Sequence, residues 1–326
     1  MKRRLTALVA AVSVLALSAC GSGSPSGGGS EAPADAGSGG LTKITVGVIP
    51  IVDTAPIWLG DEKGFFAEEG LELDLQTATG GAAIVPGVVS GSFDFAFSNL
   101  ISVMVANDKG LDLQFVANGA STTGEEGAGF GAVVVPEDSD IQSAADLEGK
   151  TVSVNNLSNI GDTTIKHVVE KDGGNPDNID FVEVAFPDAP AALQNGQVDA
   201  AWILDPFLTQ ALSEGARVIS WNFTEMHPEL DIAGYFTTSE KVQSETELVD
   251  KFTRAMNKSL EYAQENPQEV RDIVGTYTEI DAETLAKLTL PEYRPEFSRE
   301  AAQTLGEAAA KYGTLSEAPN LDELLP

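Results

Sequence analysis

The chain has 326 residues, enough for about two domains with hydrophobic cores of their own. Hydrophobic residues make up 42% of it and charged residues 21%, which is typical of a folded globular protein and excludes a chain disordered throughout. Asp and Glu number 50 against 19 Lys and Arg, so the net charge is −31 at pH 7. Because nucleic-acid binding requires a basic surface, we expect no nucleic-acid partner.

The first twenty residues have the pattern of a secretory signal peptide. Three basic residues at positions 2–4 precede an apolar run of about 15 residues, which is short for a membrane-spanning helix. The run ends in LSAC, which resembles the lipobox of bacterial lipoproteins. That resemblance implies that Cys20, the only cysteine, becomes the lipid-modified N-terminus. An ordinary secretory signal with an incidental cysteine is the alternative.

Residues 21–40, GSGSPSGGGSEAPADAGSGG, contain almost nothing to bury and predict a flexible linker. A linker of this length gives a folded body a reach of roughly 25 Å from its attachment point. Together with a lipid on Cys20, it predicts a protein anchored to the outer face of a bacterial cytoplasmic membrane.

From Leu41 onward, predicted strands alternate with predicted helices, which is typical of an α/β protein whose sheets are covered on both faces. The strands of the first half are 44–50, 71–77, 93–98 and 113–118, and its helices are 55–70, 81–90 and 101–109. Pro86 lies inside the second of these helices, and Gly91 is expected to end it.

The alternation then restarts at residue 131. The strands of the second half are 131–135, 150–155, 181–185, 198–204 and 216–220, and its helices are 161–174, 189–195 and 206–215. We expect Asp188 to cap the helix at 189–195. A strand at 234–239 is then expected to return to the first half, where the mainly helical C-terminal part would pack.

The two halves share a six-residue pattern, GSFDFA at 91–96 and GQVDAA at 196–201. We interpret each as a turn from a helix into a strand. The glycine would adopt the left-handed conformation there, and the carboxylate of Asp94 or Asp199 would accept hydrogen bonds from nearby backbone amides. Contact with a ligand is the alternative role for these two side chains.

Motifs of common enzyme classes are incomplete in this chain. GAGFGA at 127–132 fits a dinucleotide-binding pattern but leads into a strand, whereas phosphate binding needs a helix N-terminus. LEGKT at 147–151 resembles a phosphate-binding loop, but Ala144 occupies the position of its first glycine. His167 and His227 are not in metal-ligand spacing. We therefore expect no catalytic residue, no metal and no cofactor.

Three stretches, GVIPIVDTAPIWLGDEKGFFAEEGLELDLQTATGG, DLEGKTVSVN and GQVDAAWILDPF, resemble solute-binding proteins of the nitrate, sulfonate and taurine importers. That superfamily also includes binders of thiamine-pyrimidine precursors. The resemblance covers residues 41–326 and implies a type II periplasmic-binding-protein fold, with two α/β lobes, a two-strand hinge and a C-terminal helical return. Lobe 1 would comprise 41–131 and 233–326, and lobe 2 would comprise 132–232. The implied partners are a small-molecule ligand and the permease and ATPase subunits of an ABC importer, with the protein itself a monomer.

We place the ligand beyond the carboxyl ends of the strands, where helix N-termini point their amides outward, and the resemblance implies the same cleft. The expected ligand-binding residues are Asp53, Thr54, Ala55, Trp58, Thr79, Gly80, Gly81, Ser98, Asn99, Asn156, Gly161, Asp162, Thr163, Trp202 and Asp205. Residues 79–81 and 161–163 are the expected amide donors, one set from each lobe. Turn geometry alone is the alternative explanation for their glycines.

None of these expected ligand-binding residues is a Lys or an Arg, whereas Asp53 and Asp205 are acidic. Two carboxylates would repel a bare anion such as nitrate and suit a ligand with an amino end. We therefore expect an organosulfonate of the taurine type, and an aminopyrimidine precursor of thiamine is the alternative. For Asp205, capping of the helix that follows is a second interpretation.

An enzyme and a ligand sensor are the alternatives from other classes of function. Eukaryotic thiamine-pyrimidine synthases share the implied fold, but this chain lacks their cysteine-rich motif, so we expect no enzyme activity. A ligand sensor that signals through a membrane partner is a further alternative.

The lipobox predicts the behaviour of a Cys20→Ala variant. Without the thiol that carries the lipid, the folded body should be released into the medium, or its signal should stay uncut. Fractionation of cells with detection of the protein and of its lipid measures this. Recovery of the variant in membranes as a processed, lipid-bearing chain would contradict the assignment of the anchor.

Overall fold

Two five-stranded sheets form the framework of the protein in the computed structural model, which describes residues 40–326. Cys20, the signal peptide and nearly all of the linker therefore lie outside the described residues. The strands are β1 (Thr42–Val48), β2 (Leu71–Thr77), β3 (Phe95–Asn99), β4 (Leu113–Ser121), β5 (Gly131–Pro136), β6 (Thr151–Val154), β7 (Asp180–Glu183), β8 (Ala200–Leu204), β9 (Ala216–Ser220) and β10 (Asp231–Thr238).

Helices cover the sheets and dominate the C-terminal third of the chain. They are α1 (Ala55–Glu62), α2 (Phe65–Glu68), α3 (Gly81–Val89), α4 (Leu100–Asp108), α5 (Ile160–Lys171), α6 (Ala189–Gln194), α7 (Phe207–Ser213), α8 (Asn222–Met226), α9 (Ser239–Ser244), α10 (Thr246–Glu265), α11 (Pro267–Tyr277), α12 (Ala282–Leu285), α13 (Arg299–Lys311) and α14 (Leu321–Leu324). Among the helices of residues 40–326, none combines the length and the apolar character that crossing a membrane requires.

The first sheet has the strand order β2-β1-β3-β10-β4, and the second has the order β7-β6-β8-β5-β9. In the first sheet β1 runs parallel to β2 and β3, whereas β10 lies antiparallel between β3 and β4. In the second, β6 runs parallel to β7 and β8, whereas β5 lies antiparallel between β8 and β9. The predicted return of the strand at 234–239 to the first half is thereby confirmed.

The chain passes between the sheets twice, once between β4 and β5 and once between β9 and β10. We call the parts built on the first and second sheets lobe 1 and lobe 2. The sheet changes between Ser121 and Gly131 and again between Ser220 and Asp231. The lobe boundaries at 131/132 and 232/233 stay predictions.

Two local predictions were wrong. The predicted helix at 55–70 is divided into α1 and α2, because Gly64 adopts a left-handed φ of 79° that interrupts the helical backbone. The side chain of Asp188 makes no capping hydrogen bond to α6. Asp188 ends a 3-10 turn and has φ and ψ of −92° and −16°, whereas a capping side chain works best from an extended backbone.

The shared six-residue pattern forms the same turn in both lobes. The backbone amide of Thr45 donates to Asp94 Oδ2 at 2.9 Å, and the amide of Asp94 donates to the carbonyl of Thr45 at 2.8 Å. The amide of Thr151 donates to Asp199 Oδ2 at 2.8 Å, and the amide of Asp199 donates to the carbonyl of Thr151 at 2.9 Å. The glycine that opens each pattern has a positive φ. The structural interpretation of both carboxylates is confirmed.

The C-terminal helices complete the core of lobe 1. Helix α10 buries one face, whose residues recur at helical spacing, against α1, α2 and β4. At the centre of that face Phe252 is fully buried and stacks on Phe95, with ring centroids 4.1 Å apart and planes 4° apart. Phe66 and Tyr235 also contact Phe252, so this ring joins α10 to the sheet.

Truncation of this ring should weaken the whole of lobe 1. We expect Phe252→Ala to lower the free energy of unfolding by about 3–5 kcal/mol, because it removes stacking contacts and leaves a cavity. Urea unfolding of residues 40–326 measures the change. The control is Leu212→Ala, at an exposed position of α7, which should cost less than about 1 kcal/mol. Equal losses in the two variants would contradict the role of Phe252.

Candidate functional site

A small chamber lies between the lobes, at the carboxyl ends of β1, β3 and β8. Its walls are Ile49, Ile51, Asp53, Phe97, Asn99, Asn155, Ile160, Phe186, Trp202, Leu204, Ile232 and Ala233. Both sheets therefore contribute walls, as a cleft between two lobes requires. The chamber has a volume of about 20 Å³, room for little more than one water-sized sphere. The lobes must separate before a larger molecule can enter.

Asp53 places a buried carboxylate in the wall of this chamber. It lies in a 3-10 turn, Val52–Thr54, that follows β1, and it is 1% exposed. Its Oδ1 has no hydrogen-bond partner among the described residues. Burial, together with the nearby negative charge of Asp205, raises the pKa of Asp53 to about 7. A buried acceptor without a partner is costly, so this oxygen is suited to accept a hydrogen bond from a ligand.

Trp202 supplies a flat aromatic wall from lobe 2. It is buried on β8, and its indole packs edge-on against Phe186 and Phe223, with centroids 5.3 and 5.6 Å away. Its Nε1 has no hydrogen-bond partner within residues 40–326. A Cβ on Gly161 would lie 2.6 Å from the indole, so glycine is needed there for α5 to approach the ring. The wall residues of the chamber thus include one donor and one acceptor group without a hydrogen-bond partner in residues 40–326.

The N-termini of α3, α4 and α5 lie near the cleft, and those of α4 and α5 are already capped by side chains. Asn99 caps α4 by accepting from the amide of Ser102 at 2.9 Å. At α5, Asn159 is the capping residue, and in return the carboxylate of Asp162 accepts from the amides of Asn159 at 2.6 Å and Ser158 at 2.7 Å. These amides are therefore less available to an anion. The expected donor role of residues 161–163 stays a prediction.

The N-terminus of α3 differs, because its N-cap residue is Gly80, which has no side chain. The hydroxyl of Ser98 lies beside it, since a Cβ on Gly81 would be 2.0 Å from Ser98 Oγ. That hydroxyl has no partner in the described part of the chain. A Cβ on Gly80 would lie 2.4 Å from Oδ1 of Asn156 in lobe 2, so the lobes approach closely at this point.

Asp205 is the second carboxylate of the cleft, and both of its oxygens already accept hydrogen bonds from other residues of the protein. Its Oδ1 accepts from the amide and the hydroxyl of Thr209 at 2.8 and 2.7 Å, and its Oδ2 accepts from the amide of Thr289 at 2.9 Å. Burial raises the pKa of Asp205 to about 7. Since both oxygens are used, the geometry agrees with the capping interpretation of Asp205 rather than with projection into the cleft.

Several direct contacts hold the lobes together. The amide of Val52 donates to the carbonyl of Asp205 at 3.1 Å, and the side chains of Ser102 and Asn159 are 3.0 Å apart. At the edge of the molecule, Lys311 and Tyr312 of the C-terminal segment contact Glu170 of α5; the tyrosine hydroxyl donates at 2.6 Å. The structure therefore has a closed cleft.

The remaining predicted site residues lie around the chamber rather than in its wall. Thr54 donates its hydroxyl to the carbonyl of Ile49 at 2.7 Å, and Ala55 begins α1. Trp58 stacks on Tyr277 with centroids 4.9 Å apart. Thr163 contacts Thr314, and Thr79 lies outside the chamber.

Of the fifteen predicted ligand-binding residues, the structure brings Asp53, Asn99 and Trp202 into the chamber wall. Sequence reasoning missed Asn155 and Phe186, which also line it. Asn155 directly follows β6, and Phe186 lies three residues after β7. A position shortly after a strand is the same sequence feature that predicted Asp53. Within residues 40–326, no cluster of three or more His, Cys, Asp or Glu side chains is arranged to hold a metal ion.

Comparisons with known proteins agree with this two-lobed arrangement. The family model described as NMT1/THI5 like matches residues 51–270. The formylaminopyrimidine-binding protein of Halalkalibacterium halodurans is 26% identical over 225 residues, which are 68% of this chain and 65% of that protein. The chain thus spans just under two thirds of that relative.

Two solved structures resemble the chain at low identity. The alkanesulfonate-binding protein SsuA of Xanthomonas axonopodis pv. citri, bound to MOPS, has a TM-score of 0.72 at 16% identity and covers 87% of this chain and 96% of its own. A Candida albicans protein with the generic periplasmic binding protein fold has a TM-score of 0.67 at 15% identity, covering 88% and 96%. The predicted periplasmic-binding-protein fold is confirmed.

The raised pKa of Asp53 predicts how stability depends on pH. The folded protein keeps this carboxyl protonated up to about pH 7, whereas the unfolded chain releases the proton near the ordinary pKa of 3.8. The folded state therefore binds more protons in this window, so the free energy of unfolding should fall as pH rises from about 4 to 7. Asp53→Asn removes that contribution.

Urea unfolding at several pH values checks this expectation. The stability of Asp53→Asn relative to wild type should increase as pH rises through the window. Asp138→Asn, at an exposed carboxylate, is the control and should follow the wild type. Parallel curves for wild type and Asp53→Asn would contradict the burial of an ionisable Asp53.

Proposed function

Because the chain belongs to the NMT1/THI5-like family, we propose that it is an extracytoplasmic solute-binding protein of an ABC importer. It would take up a small organic solute in the cleft, close around it and deliver it to the permease and ATPase subunits. The lipid on Cys20 would hold it at the membrane. The names of the binding proteins to which it is similar and the chamber between its lobes support this role.

The solute that we propose is a small, planar nitrogen heterocycle with amino N–H donors, of the aminopyrimidine class. One observation carries this choice: the chamber wall holds the buried carboxylate of Asp53, one oxygen of which has no partner within residues 40–326, and the described wall residues include no Lys or Arg. An amino group beside a ring nitrogen matches a carboxyl group with two hydrogen bonds. Each hydrogen bond to a charged group contributes about 1.5–3 kcal/mol.

The raised pKa of Asp53 fits such a partner. An ionised carboxylate can accept from the amino group and from a protonated ring nitrogen. A neutral carboxyl group can accept from the amino group and donate its own proton to the unprotonated ring nitrogen. One proton is shared in either case, so a pKa of about 7 does not prevent binding at neutral pH.

The apolar walls also favour a flat ring. Phe97, Phe186 and Trp202 border the chamber, and aromatic faces stack well on a heterocycle. The indole N–H of Trp202 has no partner in the described residues. It could donate a hydrogen bond to a second ring nitrogen of the heterocycle. The walls thus combine stacking with a few polar groups that select orientation.

Simple anions fit this chamber less well. The N-termini of α4 and α5 are capped by the side chains of Asn99 and Asn159. The start of α5 also carries the carboxylate of Asp162, which accepts from two amides just before the helix. A bare nitrate or alkylsulfonate would also lie close to Asp53 without any cationic side chain in the wall. Burial of like charges is costly in a low dielectric, so once Asp53 is ionised, above about pH 7, an anion without an amino group is disfavoured.

An aminosulfonate of the taurine type is the second candidate, because α3 begins without a side-chain cap beside the unpaired hydroxyl of Ser98. Amides at an uncapped helix N-terminus bind anions. In that arrangement the amino group would pair with Asp53 and the sulfonate with α3. The structural similarity to an alkanesulfonate-binding protein is compatible with this candidate.

Calorimetry with 4-aminopyrimidine, taurine and propanesulfonate tests the proposal. We expect 4-aminopyrimidine to bind and Asp53→Asn to weaken it at least about tenfold, because a charge-assisted hydrogen bond is lost. Asp138→Asn is the surface control. Binding of taurine but not of the pyrimidine would favour the second candidate. Unchanged affinity in Asp53→Asn would place the site elsewhere.

A further inference from the structure

We propose that the ligand site has a second compartment, a groove outside the chamber that receives an apolar substituent of the solute. This inference rests on the function proposed above and narrows its substrate class to ring-substituted heterocycles. The groove has a volume of about 300 Å³ and is bounded by both lobes. Lobe 1 contributes the segments after β1 and β2, and lobe 2 contributes the turn before α6 and the start of α7.

The groove adjoins the chamber, and the two cavities share part of their walls. Ile49, Ile51 and Phe186 border both cavities. Phe186 is 3% exposed, and its ring packs edge-on against Trp202, so it stands between the two compartments. If the ring of the solute lies beside Trp202, a substituent attached to that ring and directed past Phe186 would enter the groove.

Volume and wall chemistry determine what the groove can hold. A cavity of about 150 Å³ is enough for a benzene-sized ring, so the groove has room for a ring or a short alkyl chain. Ala78, Ala185 and Phe207 present carbon-rich walls, and the groove-lining residues, all of them described, include no Lys or Arg. Its acidic residue, Asp188, is exposed. The occupant is therefore an uncharged, apolar group.

Hydrophobic burial gives this compartment a measurable contribution to affinity. Each methylene removed from water improves binding about fourfold at most. A three-carbon chain placed in the groove should therefore tighten binding by about tenfold, allowing for the ordering of the chain. A heterocycle without such a chain should bind in the chamber alone and gain nothing from the groove.

The experiment compares 4-aminopyrimidine with its three isomers that carry an n-propyl group on a ring carbon, by calorimetry on the mature chain. One isomer should bind wild type about tenfold more tightly than the unsubstituted ring. Ala185→Trp, which fills the groove from a position outside the chamber wall, should remove that gain and leave the affinity for the unsubstituted ring within about twofold. Ala78→Leu should act in the same way from lobe 1.

Ala286→Trp, at an exposed position just after α12, is the matched control and should change neither affinity. If unsubstituted 4-aminopyrimidine fails to bind wild type, the proposed function itself is contradicted. If it binds but no propyl isomer binds more tightly, or if the gain persists in both Ala185→Trp and Ala78→Leu, only the groove is overturned. These outcomes distinguish the two proposals.

Discussion

Two buried carboxylates, Asp53 and Asp205, lie at the junction of the lobes. Whether each one stabilises the fold or can bind a ligand depends on which hydrogen bonds the protein makes to it. Asp205 accepts three from Thr209 and Thr289, and it thereby ties the end of β8 to α7 and to the C-terminal segment. Asp53, in the chamber wall, keeps one oxygen without a hydrogen-bond partner among the described residues. Burying a charge is costly unless it is paired, so the first carboxylate stabilises the fold and the second is suited to a ligand.

The same turn from a helix into a strand occurs once in each lobe and directs a strand toward the junction. In each lobe a glycine in the left-handed conformation ends a helix, and an aspartate just before the next strand then bonds to the backbone of the parallel neighbouring strand. The strands that follow, β3 and β8, run toward the cleft and deliver Asn99 and Trp202 to the chamber. The carboxyl ends of parallel strands are where α/β proteins generally bind ligands.

Capping of the helices determines which charges the cleft tolerates. A helix N-terminus is usually attractive to anions, but the side chains of Asn99 and Asn159 already accept from amides in the first turns of α4 and α5. Of α3, α4 and α5, only α3 has no side-chain cap among the described residues. Helix α1, which begins just after Asp53, has none either. The same fold that holds a sulfonate in another protein therefore presents here a chamber that is apolar, aromatic and acidic.

Local sequence alone determined most of the secondary structure, because it depends on contacts between near neighbours. The pattern LELDLQT predicted β2 residue by residue, and the roles of Asp94 and Asp199 followed from a six-residue motif. The tertiary structure decided which carboxylate is free. Asp53 and Asp205 look alike in sequence, each shortly after a strand, but Thr289, which pairs with Asp205, is 84 residues away. Such partners meet only when the lobes and the C-terminal segment pack together.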